Sequence, residues 1–217
     1  KKTMFLLFAR MSSNACTIKQ NAPFPMELFM LRYYQYSTFP PERKRWILNV
    51  WYINSILGPL RLEEENDALC GVHFCPDGVP DLEPLPRKVC ETPLLQEAEE
   101  QLNEYFAGVR REFDLPLAPK GTPFQKAVWA EMNRIPYGET RTYGQLAAAI
   151  GRPKASRAVG GACHCNPIAI LQPCHRVVGA NGSLTGYAGG IDKKVKLLTL
   201  EKVDMKTFFV PTKGTAI

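Results

Sequence analysis

The segment "NPIAILQPCHRVVGANG", residues 166–182, sets a thiol, an imidazole and a guanidinium next to each other at Cys174, His175 and Arg176. The reactive form of a cysteine is its thiolate, and an ordinary cysteine thiol has a pKa of about 8.5. A neighbouring histidine can remove that proton, and a carboxylate beyond the imidazole would orient it and stabilise the cation that forms. We therefore interpret Cys174 as a candidate nucleophile, His175 as its base and Glu201 as the candidate carboxylate.

Other interpretations of Cys174 stay open at this point. A lone cysteine is most often a buried, unreactive core residue, and a cysteine beside a histidine also fits a hydrolase. Adjacent side chains diverge in an extended segment, so a bend or a water molecule must complete any contact between the thiol and His175. Pro173 stiffens the approach to the thiol, and the glycine-rich turns that follow are able to close over a substrate.

Two short runs place cysteine and histidine close enough together to suggest a metal site. They are "ACHCN", with Cys163, His164 and Cys165, and "LCGVHFC", with Cys70, His73 and Cys75. The contiguous C-H-C lacks the C-x-x-C spacing that structural zinc sites favour, and the second run alternates between the two faces of a strand. We predict no metal ion and no cofactor, although a redox or metal role for the first run stays open.

The composition is that of a folded globular chain of one or two domains, with 45% hydrophobic and 22% charged residues among 217. No stretch approaches the ~20 apolar residues that a transmembrane helix needs. The seven cysteines are odd in number and irregularly spaced. That usage favours reduced thiols and an intracellular location, in the cytoplasm or the nucleus.

Positive charge is concentrated in one part of the chain. Residues 120–202 carry 12 Lys and Arg against 4 Asp and Glu, a net charge of +8, whereas residues 1–119 have a net charge of −3. This segregation favours a polyanionic partner such as nucleic acid, with an ordinary lysine-rich surface as the alternative. The positively charged segment also contains Cys174.

Changes in residue pattern divide the chain into four parts. Residues 1–46 show no sustained period, which predicts a disordered or non-native extension, with an organellar targeting segment as the alternative. Residues 47–115 combine β-branched and aromatic runs with the helical pattern "TPLLQEAEEQLNEYFAG", which predicts a small α/β domain with antiparallel strands. Residues 116–202 are predicted to form a mostly α-helical domain, and residues 203–217 a C-terminal tail.

Cap residues locate the helices of the second domain. Thr122 and Thr142 stand as N-caps before helical patterns, and Pro153 is expected in the first turn of the next helix, which has a basic face. Two short helices joined by a tight turn, the second of them basic, outline a helix-turn-helix. Gly160 and Gly161 lie inside that second helix, where each costs roughly 1 kcal/mol relative to alanine. We therefore expect a close neighbour or a ligand at these glycines.

Two long segments resemble a known family. "TPFQKAVWAEMNRIPYGETRTYGQLAAAIGRPKASRAVGGA" and "NPIAILQPCHRVVGANGSLTGYAGGIDKKVKLLTLE" resemble the helix-turn-helix and the active-site segment of the O6-alkylguanine-DNA alkyltransferases, also called methylated-DNA–protein-cysteine methyltransferases. The Pro-Cys-His-Arg-Val core, residues 173–177, is highly specific to them, and the resemblance covers about 47–202. It implies a protein that binds double-stranded DNA by the minor groove, flips an alkylated guanine out and moves its alkyl group to a cysteine.

The resemblance implies a catalytic set within the active-site segment. Cys174 would accept the alkyl group from O6, and His175 and Glu201 would activate its thiol. Asn166 would support the turn that positions them. The transfer would be irreversible, and each protein molecule would act once, as a monomer. O4-alkylthymine stays open as a second substrate.

The resemblance implies a DNA-binding set and a substrate pocket as well. Arg157 would fill the gap that the flipped base leaves, and Tyr143 would press on the phosphate and aid its rotation. Further DNA contacts would come from Lys154 and Arg141. The guanine pocket would be lined by Tyr143, Val177, Tyr187 and Ala188.

Two other functions stay open on the sequence. A lesion sensor of the same family would bind damaged DNA without repairing it, but it would need the acceptor replaced, and Cys174 is present. A helix-turn-helix transcription regulator would explain the basic segment and leave the thiol incidental or redox-sensing. Selective binding of one operator sequence would favour the regulator, whereas loss of alkyl groups from DNA would favour repair.

Overall fold

The computed structural model describes residues 48–75 and 87–211 of the chain. The expectations for residues 1–46 and for the end of the tail, 212–217, lie outside the described residues. Those that are described belong to one compact unit. None of their helices has the length and apolar composition that crossing a membrane requires.

A four-stranded sheet forms the N-terminal part, with the strand order β3-β2-β1-β4. Its strands are β1 (Leu48–Ile53), β2 (Leu60–Glu65), β3 (Ala68–Phe74) and β4 (Arg87–Val89). The first three strands pair antiparallel, as predicted, whereas β4 pairs parallel to β1. The turn between β2 and β3 is tight because Asn66 and Asp67 both adopt positive φ, 54° and 58°, which these side chains tolerate.

Helix α1 (Pro93–Phe106) packs on this sheet. The Thr92 side chain accepts a hydrogen bond of 3.1 Å from the Leu95 N–H, and Pro93 takes the first helical position. Gly108, with a φ of +74°, follows the end of the helix. The helix predicted from the pattern "TPLLQEAEEQLNEYFAG" is confirmed. The buried face of α1 consists of Leu95, Ala98, Gln101, Leu102 and Tyr105.

The C-terminal part is mostly helical, as predicted. Its helices are α2 (Pro123–Met132), α3 (Tyr143–Ala149), α4 (Ser156–His164) and α5 (Ile191–Leu200). Thr122 and Thr142 form capping boxes at the starts of α2 and α3. The expectation that Pro153 lies in the first turn of α4 is wrong, because Ala155 (φ −95°, ψ 20°) separates a preceding turn from the helix.

Backbone hydrogen bonds along the outer edge of β3 join the two parts. Leu69 exchanges bonds of 2.8 Å with residues 116–118, and Val72 exchanges bonds of 2.9 and 3.0 Å with residues 167–169. An open sheet edge would leave these N–H and C=O groups without partners. The same bonds therefore close the sheet and fix the start of the segment that carries Cys174. A single cluster of buried apolar side chains runs through both parts.

Candidate active site

The backbone that carries Cys174 makes two sharp turns. The first is centred on Ile170, whose φ of +72° is strained for a β-branched residue. The second is centred on Pro173 (φ −81°, ψ 63°), and there the Cys174 N–H donates to the Gln172 carbonyl at 2.8 Å. The proline ring favours this φ. The thiol thus stands at the start of a 3₁₀ turn, Cys174–Arg176, directly after a bend.

Asn166 lies across this bend. Its Nδ2 donates to the Gln172 carbonyl at 2.9 Å and to Cys174 Sγ at 3.2 Å. Its Oδ1 accepts from the Ile168 N–H at 3.1 Å. One amide side chain therefore ties the start of the segment to the nucleophile, and a donor at the sulfur favours the thiolate over the thiol.

Glu201, which caps the C-terminal end of α5, is the centre of a buried hydrogen-bond network. Its Oε1 accepts from His175 Nε2 at 2.8 Å, from Arg176 Nη2 at 2.9 Å and from the Tyr105 hydroxyl at 2.6 Å. Its Oε2 accepts from Arg176 Nε at 2.9 Å and from the Gly138 N–H at 3.2 Å. Burial raises the pKa of Glu201, but His175 and Arg176 outweigh it and hold that pKa well below its ordinary value. The carboxylate is therefore ionised at neutral pH.

The protonation of His175 follows from this partner. An ionised carboxylate only accepts hydrogen bonds, so Nε2 carries the proton and Nδ1 keeps the lone pair. Nδ1 is buried and has no hydrogen-bond partner among the described residues. Burial lowers the pKa of His175, which leaves the imidazole neutral and able to accept a proton at Nδ1.

The Cys174 thiol is buried beside this imidazole without a hydrogen bond to it in the described part of the chain. Burial raises the pKa of Cys174, whereas the hydrogen bond from Asn166 and the charge of Lys194 lower it. The thiol is therefore protonated at rest and becomes nucleophilic when its proton leaves. Transfer of that proton to Nδ1 therefore needs a bridging group such as a water molecule. The adjacency of Cys174 and His175 predicted either such a water or a bend in the chain.

Lys194 is a buried cation near the nucleophile that the sequence analysis missed. Its Nζ donates to the Val177 carbonyl at 2.6 Å and to the Thr185 carbonyl at 3.1 Å. Burial lowers the pKa of Lys194 to about 8. The sequence does indicate this burial, because the helical spacing puts Lys194 on the same inward face of α5 as Ile191 and Leu197. A lysine on a buried face needs buried hydrogen-bond partners.

Tyr105 and Arg176 are further members of the Glu201 network that the sequence did not reveal. Tyr105 belongs to the apolar face of α1, where its pattern indicated only a core residue, but a buried tyrosine hydroxyl usually has a partner. Arg176 donates in addition to the Ile135 carbonyl at 2.7 Å, and its guanidinium lies 5.9 Å from the centre of the Tyr137 ring. The N-terminal part thus holds the Glu201 carboxylate through Tyr105.

We expect Tyr105→Phe to lower both the stability of the protein and the reactivity of the Cys174 thiol. It removes one donor to a buried carboxylate, and a hydrogen bond to a charged group contributes about 1.5–3 kcal/mol. Urea unfolding and single-turnover rates measure the two effects. Tyr52→Phe, on β1 outside this network, is the matched control, and equal unfolding free energies for the two variants would contradict the assignment.

The predicted DNA contacts are distributed around α4. Arg157 is exposed in the first turn of the helix, and Lys154 is exposed in the turn before it. Arg141 is half-buried in the short strand β5 (Arg141–Thr142), with its guanidinium 4.0 Å from the Glu131 carboxylate. The side chains of Arg157 and Lys154 are therefore accessible to a partner, whereas the Arg141 side chain is partly covered and lies near Glu131.

The residues predicted to line the guanine pocket have different surroundings. Val177 and Tyr187 are buried, and Ala188 is exposed. The Tyr187 hydroxyl is buried without a partner among the described residues, so its donor and acceptor capacity is unused. The Tyr143 hydroxyl donates to the Thr185 carbonyl at 3.0 Å, and a contact with phosphate would require that bond to be exchanged.

The expectation of a tightly packed neighbour within the chain at the two glycines of α4 is wrong. A Cβ at Gly160 would lie 3.9 Å from the Tyr143 ring, an ordinary contact, and a Cβ at Gly161 would meet nothing within 4 Å. This face of α4 is open in the described part of the chain. An external ligand remains the explanation for Gly161.

In the part of the chain that the structure describes, the other cysteines show no arrangement suited to a metal ion. Cys163 is buried, which raises its pKa to about 12, whereas His164 and Cys165 are exposed. No group of three His, Cys, Asp or Glu in the described ranges could hold a metal ion. The free thiols there are Cys70, Cys75, Cys163, Cys165 and Cys174. Cys90 is disulfide-bonded.

Comparisons with known proteins agree with this geometry. The family models "6-O-methylguanine DNA methyltransferase, ribonuclease-like domain" and "6-O-methylguanine DNA methyltransferase, DNA binding domain" match residues 50–119 and 123–203. The methylated-DNA–protein-cysteine methyltransferase of Methanosarcina acetivorans is 53% identical over 147 residues, which cover 68% of this chain and 94% of that protein.

Solved structures are similar as well. The O6-methylguanine methyltransferase of Mycobacterium tuberculosis has 45% identity and a TM-score of 0.64, covering 72% of this chain and 93% of that one. OGT of the same organism in complex with DNA has 44% identity and a TM-score of 0.61, covering 73% and 98%.

Proposed function

Because the chain belongs to the methylated-DNA–protein-cysteine methyltransferase family, we propose that it repairs DNA by moving the alkyl group of O6-alkylguanine to Cys174. The observation that carries this assignment is the buried thiol, with a donor from Asn166 at 3.2 Å, beside a neutral imidazole held by an ionised carboxylate. O4-alkylthymine belongs to the proposal as a second substrate of the same chemistry.

The reaction is a displacement at the alkyl carbon. The Cys174 proton passes to Nδ1 of His175 through a bridging water, and Glu201 stabilises the imidazolium that forms. An electron pair on sulfur forms the S–C bond while the C–O6 bond breaks and its electrons return to guanine. We assign the donor that stabilises the departing guanine to the Tyr187 hydroxyl, because it is buried and has no protein partner in the described residues.

The substrate is double-stranded DNA bound through α3 and α4. The net charge of +8 on residues 120–202 and the exposed Arg157 and Lys154 support this assignment. A stacked guanine hides its O6 from a buried thiol, so the base must leave the stack and enter the protein. Arg157 would then occupy the vacated space, and Tyr143 would press on the phosphate beside it.

The organisation of the chain is part of the same proposal. Residues 47–115 and 116–202 would be the two domains, with 1–46 and 203–217 as flanking segments. The limits of the two matching family models, 50–119 and 123–203, support this division. We propose further that the protein acts as a monomer inside the cell, where its DNA substrate is.

Arg157→Ala is expected to slow repair of duplex lesions by about tenfold or more while leaving reaction with free O6-alkylguanine within about twofold. Only the duplex reaction needs the vacated position in the stack to be filled. Single-turnover rates on the two substrates measure the difference. Arg134→Ala, at an exposed arginine just after the end of α2, is the control, and equal losses on both substrates would exclude this role of Arg157.

Incubation with a duplex that contains O6-methylguanine, followed by peptide mass mapping, tests the function directly. A methyl group on Cys174 and unmodified guanine in the DNA are the expected result. Binding to the lesion without transfer would identify a sensor. Selective binding of one unmodified operator sequence without transfer would identify a transcription regulator.

A further inference from the structure

Phe74, a residue of the N-terminal sheet, packs against the side chain of Tyr187. The centres of the two rings lie 6.1 Å apart and the ring planes form an angle of 65°, which is an edge-to-face contact. Phe74 is the last residue of β3 and is partly buried, and Tyr187 is 4% exposed. The N-terminal part therefore contacts a residue to which the proposed reaction assigns a hydrogen bond to the departing guanine.

Gly189 leaves the space that this contact needs. A Cβ atom at Gly189 would lie 2.6 and 2.7 Å from two carbons of the Phe74 ring and 2.8 Å from Cε1 of Tyr187. These distances are well inside the ~3.5–4.0 Å at which carbon atoms make favourable contact. The φ of Gly189 lies outside the left-handed region, so its backbone conformation does not require glycine. The close approach of the two rings does.

The surroundings of Phe74 fix its ring relative to the segment that carries Cys174. Val72, two residues earlier on β3, exchanges backbone hydrogen bonds of 2.9 and 3.0 Å with residues 167–169, at the start of that segment. Lys193 Nζ lies 5.5 Å from the centre of the Phe74 ring, within the range of a cation–π contact. The ring is thus attached to a strand whose position is set by the segment that leads to the thiol.

We propose that Phe74 is a positioning residue for alkyl transfer, which holds the Tyr187 ring, and with it the Tyr187 hydroxyl, in a fixed position relative to Cys174. The Tyr187 hydroxyl has no hydrogen-bond partner among the described residues, so packing around the ring has to fix it in the free protein. Phe74 and Gly189 supply this packing along one side of the ring. The inference rests on the function proposed above and adds a residue of the N-terminal sheet to the site.

A double-mutant cycle on the full-length chain separates this role from a general loss of stability. The quantity measured is the single-turnover rate of methyl transfer to Cys174 from a saturating methylated duplex. Phe74→Leu should slow transfer by about tenfold, because misplacing a reacting group by about 1 Å can cost up to ~100-fold. In the Tyr187→Phe protein the same substitution should change the rate by less than about twofold, since no hydroxyl is left to position.

Two further variants complete the experiment, with urea unfolding to establish that each is folded. Gly189→Ala should slow transfer only while the Tyr187 hydroxyl is present, because its Cβ displaces the rings, and it decides the question if Phe74→Leu does not fold. The control is Phe124→Leu, which removes a partly buried ring on α2 that lies 5.6 Å from the Arg152 guanidinium. It should leave the rate within about twofold in both backgrounds.

The outcomes distinguish this role from the function on which it rests. Slowing that disappears in the Tyr187→Phe background would support the role of Phe74. Transfer that Phe74→Leu leaves unchanged, or slows equally with and without the Tyr187 hydroxyl, would overturn that role and leave the proposed function standing. Absence of methyl transfer by the unsubstituted protein would overturn both.

Discussion

Cys174→Ser is expected to abolish alkyl transfer while leaving affinity for DNA within about twofold of the unsubstituted protein. A hydroxyl is far harder to ionise than a thiol, and the buried position of Cys174 already disfavours the charged form. His175 is too weak a base to compensate, because burial lowers its pKa. Gel-shift affinity and loss of methyl groups from a labelled duplex measure the two properties.

The unsubstituted protein should give a single burst of at most one alkyl group per chain, all of it on Cys174. A thioether has no ionisable proton and is a poor leaving group, so nothing returns the sulfur to its reactive form. Titration with excess methylated duplex and mapping of the label check this expectation. Repeated turnover, or label mainly on Cys163 or Cys165, would contradict the assignment of the acceptor.

Glu201→Gln is expected to lower the free energy of unfolding by about 3–5 kcal/mol and to reduce the alkyl-transfer rate strongly. The substitution leaves the Arg176 guanidinium buried without its counter-charge, a loss of that order. An amide can also donate to His175, which would permit the tautomer with the proton on Nδ1 and remove the acceptor. Urea unfolding and single-turnover kinetics measure both effects.

The effect of Glu201→Gln should depend on pH. The folded-state pKa of Glu201 lies below its unfolded value, so ionisation contributes its full stability above about pH 4.3 and loses it as the pH falls toward the folded-state pKa. The difference between the two proteins should therefore shrink in acid. Glu131→Gln, which removes surface pairs with Arg134 and Arg141, should cost about 0–1 kcal/mol. Equal losses from the two substitutions would show that the network does not stabilise the fold.

The sequence by itself determined the features that short stretches of chain control. Thr92, Thr122 and Thr142 cap helices because a threonine oxygen before a helix can accept from the N–H groups of its first turn. Asn66 and Asp67 make a tight turn because their side chains tolerate positive φ. The candidate pair Cys174 and His175 could likewise be identified from the sequence, since a thiol next to a base indicates nucleophilic chemistry before the fold is known.

Only the tertiary structure decided which distant groups complete the site. Tyr105 reaches Glu201 from 96 residues away, and the Gly138 N–H reaches it from 63 residues away, so no local pattern could identify either. The pairing of β3 with residues 167–169 is equally nonlocal. Periodicity in the sequence indicates which face of a helix is buried, but the residues that pack against that face depend on the tertiary fold. The burial of Glu201 and the neighbouring groups that determine its pKa are therefore properties of the folded protein alone.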